Sequence, residues 1–102
     1  MTVKEDLITA RAKVETGWCQ GTAARDKRGN HVSAQSLDAT QFCILGAVSA
    51  ARPANSVPVI AELYRTLNHE EYQGALSGFN DAPGRTQEEV LALFDKAIAR
   101  AE

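Results

Sequence analysis

The chain has 102 residues, of which 44% are hydrophobic and 24% charged, and this length favours one small globular domain spanning residues 1–102. The net charge of −2 does not favour a nucleic-acid-binding protein, which needs clustered surplus cations. The longest apolar run, residues 42–51, is too short to span a bilayer. Lys4, Glu5 and Asp6 lie where the apolar core of a signal peptide would begin. A cytoplasmic protein is therefore expected.

The first helix is predicted over residues 3–16. Thr2 and Glu5 have the spacing of a capping box, in which each side chain bonds the other residue's backbone N–H. Apolar residues then recur at helical intervals as far as Val14. Gly17 is expected to end the helix in a left-handed conformation.

A β-hairpin is predicted next, because residues 18–25 lose the helical period. Asp26 is expected to start its turn, and Gly29 to adopt a positive φ. Residues 31–33 then form the return strand. Two strands are marginal alone, so this hairpin must pack on helices.

The second helix is predicted to begin after Asp38 and to continue through residues 42–51. Asp38 is a suitable N-cap, and Leu37 and Phe42 have the spacing of a hydrophobic staple. Small residues recur along one face at positions 43, 46, 47 and 50, which would let another element approach closely. Pro53 ends this helix, which is apolar on nearly every face and is therefore predicted to be central and buried.

Three further amphipathic segments follow. Pro58 suits the first turn of a third helix, whose inner face is predicted to be Ile60, Leu63, Tyr64 and Leu67. Asn68 is expected to separate it from a short or irregular fourth helix. Residues 80–85 are expected to form a loop. Thr86 and Glu89 are expected to make a second capping box at the start of the final helix. The inner face of the final helix is Val90, Leu91, Phe94, Ala97, Ile98 and Ala101. The predicted fold class is mainly α (α+β), with four to five helices around a central helix and one small β-hairpin.

Three short segments stand out as a candidate site: residues 17–21, 43–47 and 80–84. Cys43 lies near a helix N-terminus, where the dipole lowers a thiol pKa. Asp81 or His31 would then be its base, and Gln20 or Asn80 would donate to an oxyanion.

Structural roles compete with these functional ones. Cysteine is among the most buried residue types, and a lone tryptophan such as Trp18 more often anchors a small core than stacks on a ligand. Asn80 and Asp81 could tie a turn together, since both side chains bond nearby backbone N–H groups. The two cysteines and two histidines lack the paired spacing of a zinc site, so neither a metal nor a cofactor is expected.

The chain resembles an uncharacterised family of small bacterial and phage proteins over roughly residues 5–100. The resemblance rests on Gly17-Trp18-Cys19-Gln20-Gly21, on Phe42-Cys43-Ile44-Leu45-Gly46-Ala47, and on Phe79-Asn80-Asp81 followed by Pro83-Gly84-Arg85-Thr86. Tryptophan often stands in that family where this chain has Phe79. The resemblance implies the same cluster of three segments and no particular activity.

The function expected from the sequence is non-enzymatic binding of a small ligand or a protein partner. The candidate binding residues are Trp18, Gln20, Cys43, Asn80 and Asp81. A thiol-dependent enzyme using Cys43 and a structural or homo-oligomeric module are the alternatives that the sequence leaves open.

Overall fold

A computed structural model describes residues 2–101, and it contains helices and a small sheet, as predicted. The helices are α1 (Val3–Thr16), α2 (Ile44–Ala51), α3 (Ser56–His69), α4 (Leu76–Asp81) and α5 (Gln87–Arg100). The strands are β1 (Ala24–Arg25), β2 (His31–Val32) and β3 (Gln41–Phe42). The α+β fold class is therefore confirmed, with a third strand added to the predicted hairpin.

Helix α1 begins and ends at the predicted residues. The side chain of Thr2 accepts a hydrogen bond from the N–H of Glu5 at 3.1 Å, and the Glu5 carboxylate accepts from the N–H of Thr2 at 2.8 Å. The expectation for Gly17 is wrong, because its φ of 178° is extended rather than left-handed. A Cβ atom here would overlap the carbonyl oxygen of Thr40, so a close approach of the backbone, and not handedness, requires glycine.

The sheet has the order β2-β1-β3, with both pairs antiparallel. The turn between β1 and β2 forms as predicted: the Asp26 carboxylate accepts from the N–H groups of Arg28 and Asn30, each at 2.9 Å, and Gly29 has a φ of 84°. Ala24 lies between Val32 and Phe42 in the ladder. Each strand is two residues long, so packing on helices must supply most of its stability.

Helix α2 begins later than predicted, and the proposed cap and staple are wrong. Cys43 is the N-cap, its sulfur accepting from the N–H of Gly46 at 3.2 Å. Leu37 is fully exposed and cannot staple onto Phe42. The physical reason is strand pairing: the N–H of Phe42 donates to Gly17 and its carbonyl accepts from Cys19, which keeps this residue extended.

The apolar core lies where α2 packs on α1, α3 and α4, and where α1 also packs on α5. Its largest fully buried apolar side chains are Leu7, Val14, Ile44, Val48, Val59, Leu63, Leu67, Val90 and Phe94. Helix α2 is not buried on every side, because Leu45 is 38% exposed. Gly46 provides the close approach that the stripe of small residues predicts, since a Cβ there would overlap the backbone carbonyl of Ala23.

The faces and boundaries of the later helices differ in part from the prediction. The buried residues of α3 are Val59, Leu63, Thr66 and Leu67, whereas Tyr64 is 44% exposed. Helix α3 continues through Asn68 to His69. Asn80 and Asp81 end the short helix α4 instead of starting a loop, and the capping box of Thr86 and Glu89 forms as predicted.

Within residues 2–101, no helix combines the length and apolar character that crossing a membrane requires.

We expect Gly46→Ala to destabilise the fold and Gly78→Ala to stabilise it. The new methyl at position 46 meets backbone, which cannot move aside as a side chain could, so the free energy of unfolding should fall by about 3 kcal/mol. Gly78 is exposed on α4, and its nearest neighbour to a Cβ is the Tyr72 hydroxyl at 3.9 Å. Helix propensity alone should then raise stability by up to about 1 kcal/mol. Urea unfolding of both variants tests this, and equal effects would contradict the packing at Gly46.

Candidate functional site

The three segments singled out in the sequence meet in the structure. Trp18–Gly21 follows α1, Cys43 and Ile44 begin α2, and Asn80–Ala82 end α4. Hydrogen bonds between residues more than 30 positions apart join all three. The structure therefore brings together Trp18, Gln20, Cys43, Asn80 and Asp81, whose role in binding stays a prediction.

The side chain of Asn80 is the centre of these contacts. The residue is 1% exposed. Its Oδ1 accepts from the indole N–H of Trp18 at 2.8 Å and from the backbone N–H of Ile44 at 3.1 Å. Its Nδ2 donates to the carbonyl of Cys19 at 3.0 Å and to the carboxylate of Asp81 at 2.8 Å. An amide offers two donor and two acceptor positions, so all four are used within the protein.

Gln20 and Asp81 extend the network towards the surface. The amide of Gln20 donates to the carbonyls of Asn80 at 3.0 Å and Ala82 at 3.1 Å. Asp81 Oδ1 accepts from the N–H of Gly21 at 3.0 Å in addition to the bond from Asn80. Asp81 is exposed, while Gln20 is half-buried. The donors of Gln20 that an oxyanion would need are therefore already occupied.

Trp18 has the character of a core anchor. Its ring is half-buried and packs against the core. Its single N–H bonds Asn80, which is the usual arrangement for a buried indole.

Helix α2 receives its N-terminal cap from two side chains. The first N–H groups of a helix have no partner within it. Oδ1 of Asn80 accepts a hydrogen bond from the N–H of Ile44, and the sulfur of Cys43 accepts one from the N–H of Gly46. The cap thus depends in part on a residue 36 positions later in the chain.

Both cysteines are free thiols whose environment disfavours the thiolate. Burial is the main cause that raises the pKa of Cys43, and the nearby Asp81 raises it further. The N–H groups of Gly46 and Leu45 act in the opposite direction without reversing the shift. The pKa of Cys19 is raised, mainly by burial and then by Cys43.

The structure places His31, the other base suggested by the sequence, on the edge strand β2. There it is exposed and lies opposite Arg25 in the ladder.

Arg85 packs on the same short helix α4, against Phe79, and the site prediction omitted it. Its Nε donates to the carbonyl of Phe79 at 2.8 Å, and its guanidinium carbon lies 3.8 Å from the centre of the Phe79 ring. The only sequence signal for it was its place in the Pro83-Gly84-Arg85-Thr86 motif. A contact with an aromatic ring six residues earlier has no local pattern to reveal it.

No group of three or more histidine, cysteine, aspartate or glutamate side chains within residues 2–101 is arranged to hold a metal ion.

The chain matches DUF6197, a family of unknown function, over residues 1–100. No curated protein and no solved structure is significantly similar to it.

We expect Asn80→Ala to lower the free energy of unfolding by about 3 kcal/mol, because the buried N–H groups of Trp18 and Ile44 lose their acceptor. Asn68→Ala is the matched control, since Asn68 is exposed and should change stability by less than about 0.5 kcal/mol. Urea unfolding followed by Trp18 fluorescence measures both. A loss for Asn80→Ala as small as that of the control would show that the network does not stabilise the fold.

We also expect Cys43 to react slowly with iodoacetamide in the native protein at neutral pH. The raised pKa keeps the thiol protonated, and only the thiolate is a good nucleophile. The alkylation rate should rise as the pH approaches this pKa, and unfolding in urea should speed the reaction at neutral pH. Mass spectrometry of the labelled peptides gives the rate at each cysteine. Faster labelling of Cys43 in the native state than in urea would contradict the assignment.

Proposed function

The chain belongs to DUF6197, a family of unknown function, and we propose that it is a non-enzymatic accessory protein that binds another protein through the surface around Asp81. The observation that carries this proposal is the fixed, exposed carboxylate of that residue. Oδ1 is held by Gly21 and Asn80, while Oδ2 makes no hydrogen bond within the described residues. A carboxylate held in this way presents one negative charge in a defined direction.

The shape of this surface favours a protein partner over a small molecule. The main surface cavities of the described residues are lined by other residues than the five in the predicted site. A small ligand needs a concave site that covers most of its surface. A surface outside these cavities that carries one oriented charge suits a partner that offers a lysine or arginine side chain.

An apolar side chain is available next to the network. Leu45, 38% exposed, follows Ile44, whose N–H bonds Asn80. Protein interfaces combine apolar contacts with a charged rim that selects the partner. Leu45 and Asp81 are the residues we assign to these two roles.

A self-associating module is the second candidate, because α3 exposes large apolar groups. Val57 is 68% and Tyr64 44% exposed, seven residues apart on the same helix. The thiol-dependent enzyme is less favoured, since the pKa of Cys43 is raised and the site's amide groups already have partners.

The proposal places the protein in the cytoplasm of a bacterium or of a phage-infected cell. The family resemblance supports this origin. The two free thiols of Cys19 and Cys43 are typical of a reducing compartment.

The test is capture of a partner from bacterial lysate, followed by binding measurements with that partner purified. Asp81→Asn keeps an oxygen acceptor for Gly21 and removes the charge, so we expect the affinity to fall about tenfold or more. Asp38→Asn makes the same change at an exposed residue in the loop before β3 and should bind normally.

Melting temperatures within a few degrees of the parent protein would show that both variants are folded. Failure to capture any partner, or equal binding by the two variants, would refute the proposal. Capture of the chain by itself, with a multimer mass by light scattering, would instead support self-association.

A further inference from the structure

A second surface, separate from that around Asp81, contains a cavity of about 270 Å³ between the end of α3, α4 and α5. Its floor is apolar and its walls carry aromatic and cationic side chains. The residues that matter here are Leu67, Tyr72, Phe79, Arg85, Leu93 and Lys96. We infer that this cavity binds a small planar aromatic carboxylate, independently of the function proposed above.

The aromatic wall suits a flat apolar ring. Tyr72 and Phe79 lie edge to face, with ring centres 5.3 Å apart and planes at 87°. The guanidinium of Arg85 covers the Phe79 ring, its central carbon 3.8 Å from the ring centre. Aromatic rings and guanidinium planes both favour stacked or edge contacts with a further ring. The volume lies just below the usual range for ligand sites and fits a single ring system with a short substituent.

The charged groups at the rim have more unused donors than unused acceptors. Arg85 donates through Nε to Phe79 and through Nη1 to Glu89, while Nη2 has no acceptor within residues 2–101. Lys96 donates to Glu70 at 2.5 Å, which leaves two of its three N–H groups. An arginine side chain only 16% exposed with a free N–H pair is a place for an anionic oxygen to bind.

The two carboxylates at the rim do not offset this surplus. Glu89 is engaged through both oxygens, Oε1 with Thr86 and Oε2 with Arg85. Glu70 accepts from Lys96 through Oε1, which leaves its other oxygen without a hydrogen bond among the described residues. The four formal charges of the lining cancel, so the unused N–H donors of Arg85 and Lys96 are what favours an anionic group on the ligand. The ring contacts favour an aromatic one.

The test uses phenylacetate and benzoate as probes, with phenylacetamide and benzamide as their neutral partners. A ligand of this size should bind with a Kd on the order of 1 mM, which two-dimensional NMR titration of the full chain can measure. We expect the carboxylates to shift the resonances of residues that line the cavity. The amides should bind about tenfold more weakly, because charge-assisted hydrogen bonds are the stronger ones.

Replacing either of two exposed alanines on α5 by methionine locates the site without altering the core. Ala92 is exposed and lines the cavity, so Ala92→Met should fill it and weaken carboxylate binding about tenfold. Ala99 is exposed on the same helix and is not among the cavity's lining residues, so Ala99→Met should bind as the parent chain does. The inference is overturned if the carboxylates shift no cavity resonance, if amides and carboxylates bind equally, or if Ala92→Met binds normally. None of these results depends on whether Asp81 binds a partner.

Discussion

A primary amide in a protein interior has four hydrogen-bonding positions, and each one left empty costs free energy. Asn80 fills all four, and its bonds to Trp18, Cys19 and Ile44 reach segments that are distant in sequence. Helix α4, which contains it, is six residues long, well below the length at which a helix is stable alone in water. The network and the burial of Leu76 therefore hold α4 in place. Any surface that α4 presents depends on this one buried side chain.

The same side chain explains where α2 begins and why Cys43 is tolerated as its cap. A thiol is a weak acceptor compared with the oxygen of the usual capping residues. Asn80 supplies a stronger acceptor for the first N–H of the helix, and the sulfur accepts from the N–H of Gly46 in the same turn. The half-buried position that suits the thiol to this structural role also raises its pKa. The N–H groups that Cys43 caps lower its pKa, but burial outweighs them, so its environment suits helix capping more than nucleophilic chemistry.

Features fixed by residues within four positions could be predicted from the sequence. The capping boxes at Thr2 and Thr86 and the turn at Asp26 all form as expected. Features fixed by distant partners could not: Phe42 is extended because of its strand pairing, and Gly17 is glycine because Thr40 lies against it. Composition did indicate which three segments form the candidate site. The bonds that join them depend on how α4 packs, and no local pattern encodes that. The burial of Asp6 was likewise not predicted from the sequence. Its carboxylate is buried in α1, and one of its oxygens has no partner among the described residues.

Most polar groups that composition marked as candidates are used by the fold, and this determines what remains for binding. The amide donors of Gln20 and all four positions of Asn80 are occupied, so the Asp81 carboxylate is the charged group of this network that is open to a partner. On another side of α4, Arg85 is tied to the carbonyl of Phe79 and keeps unused donors. Helix α4 therefore lies between the surface around Asp81 and the cavity beside Arg85, and both are positioned by the backbone that Asn80 anchors. Phe79, Asn80 and Asp81 are consecutive residues of this one short helix, so the position of each surface follows from the same buried amide.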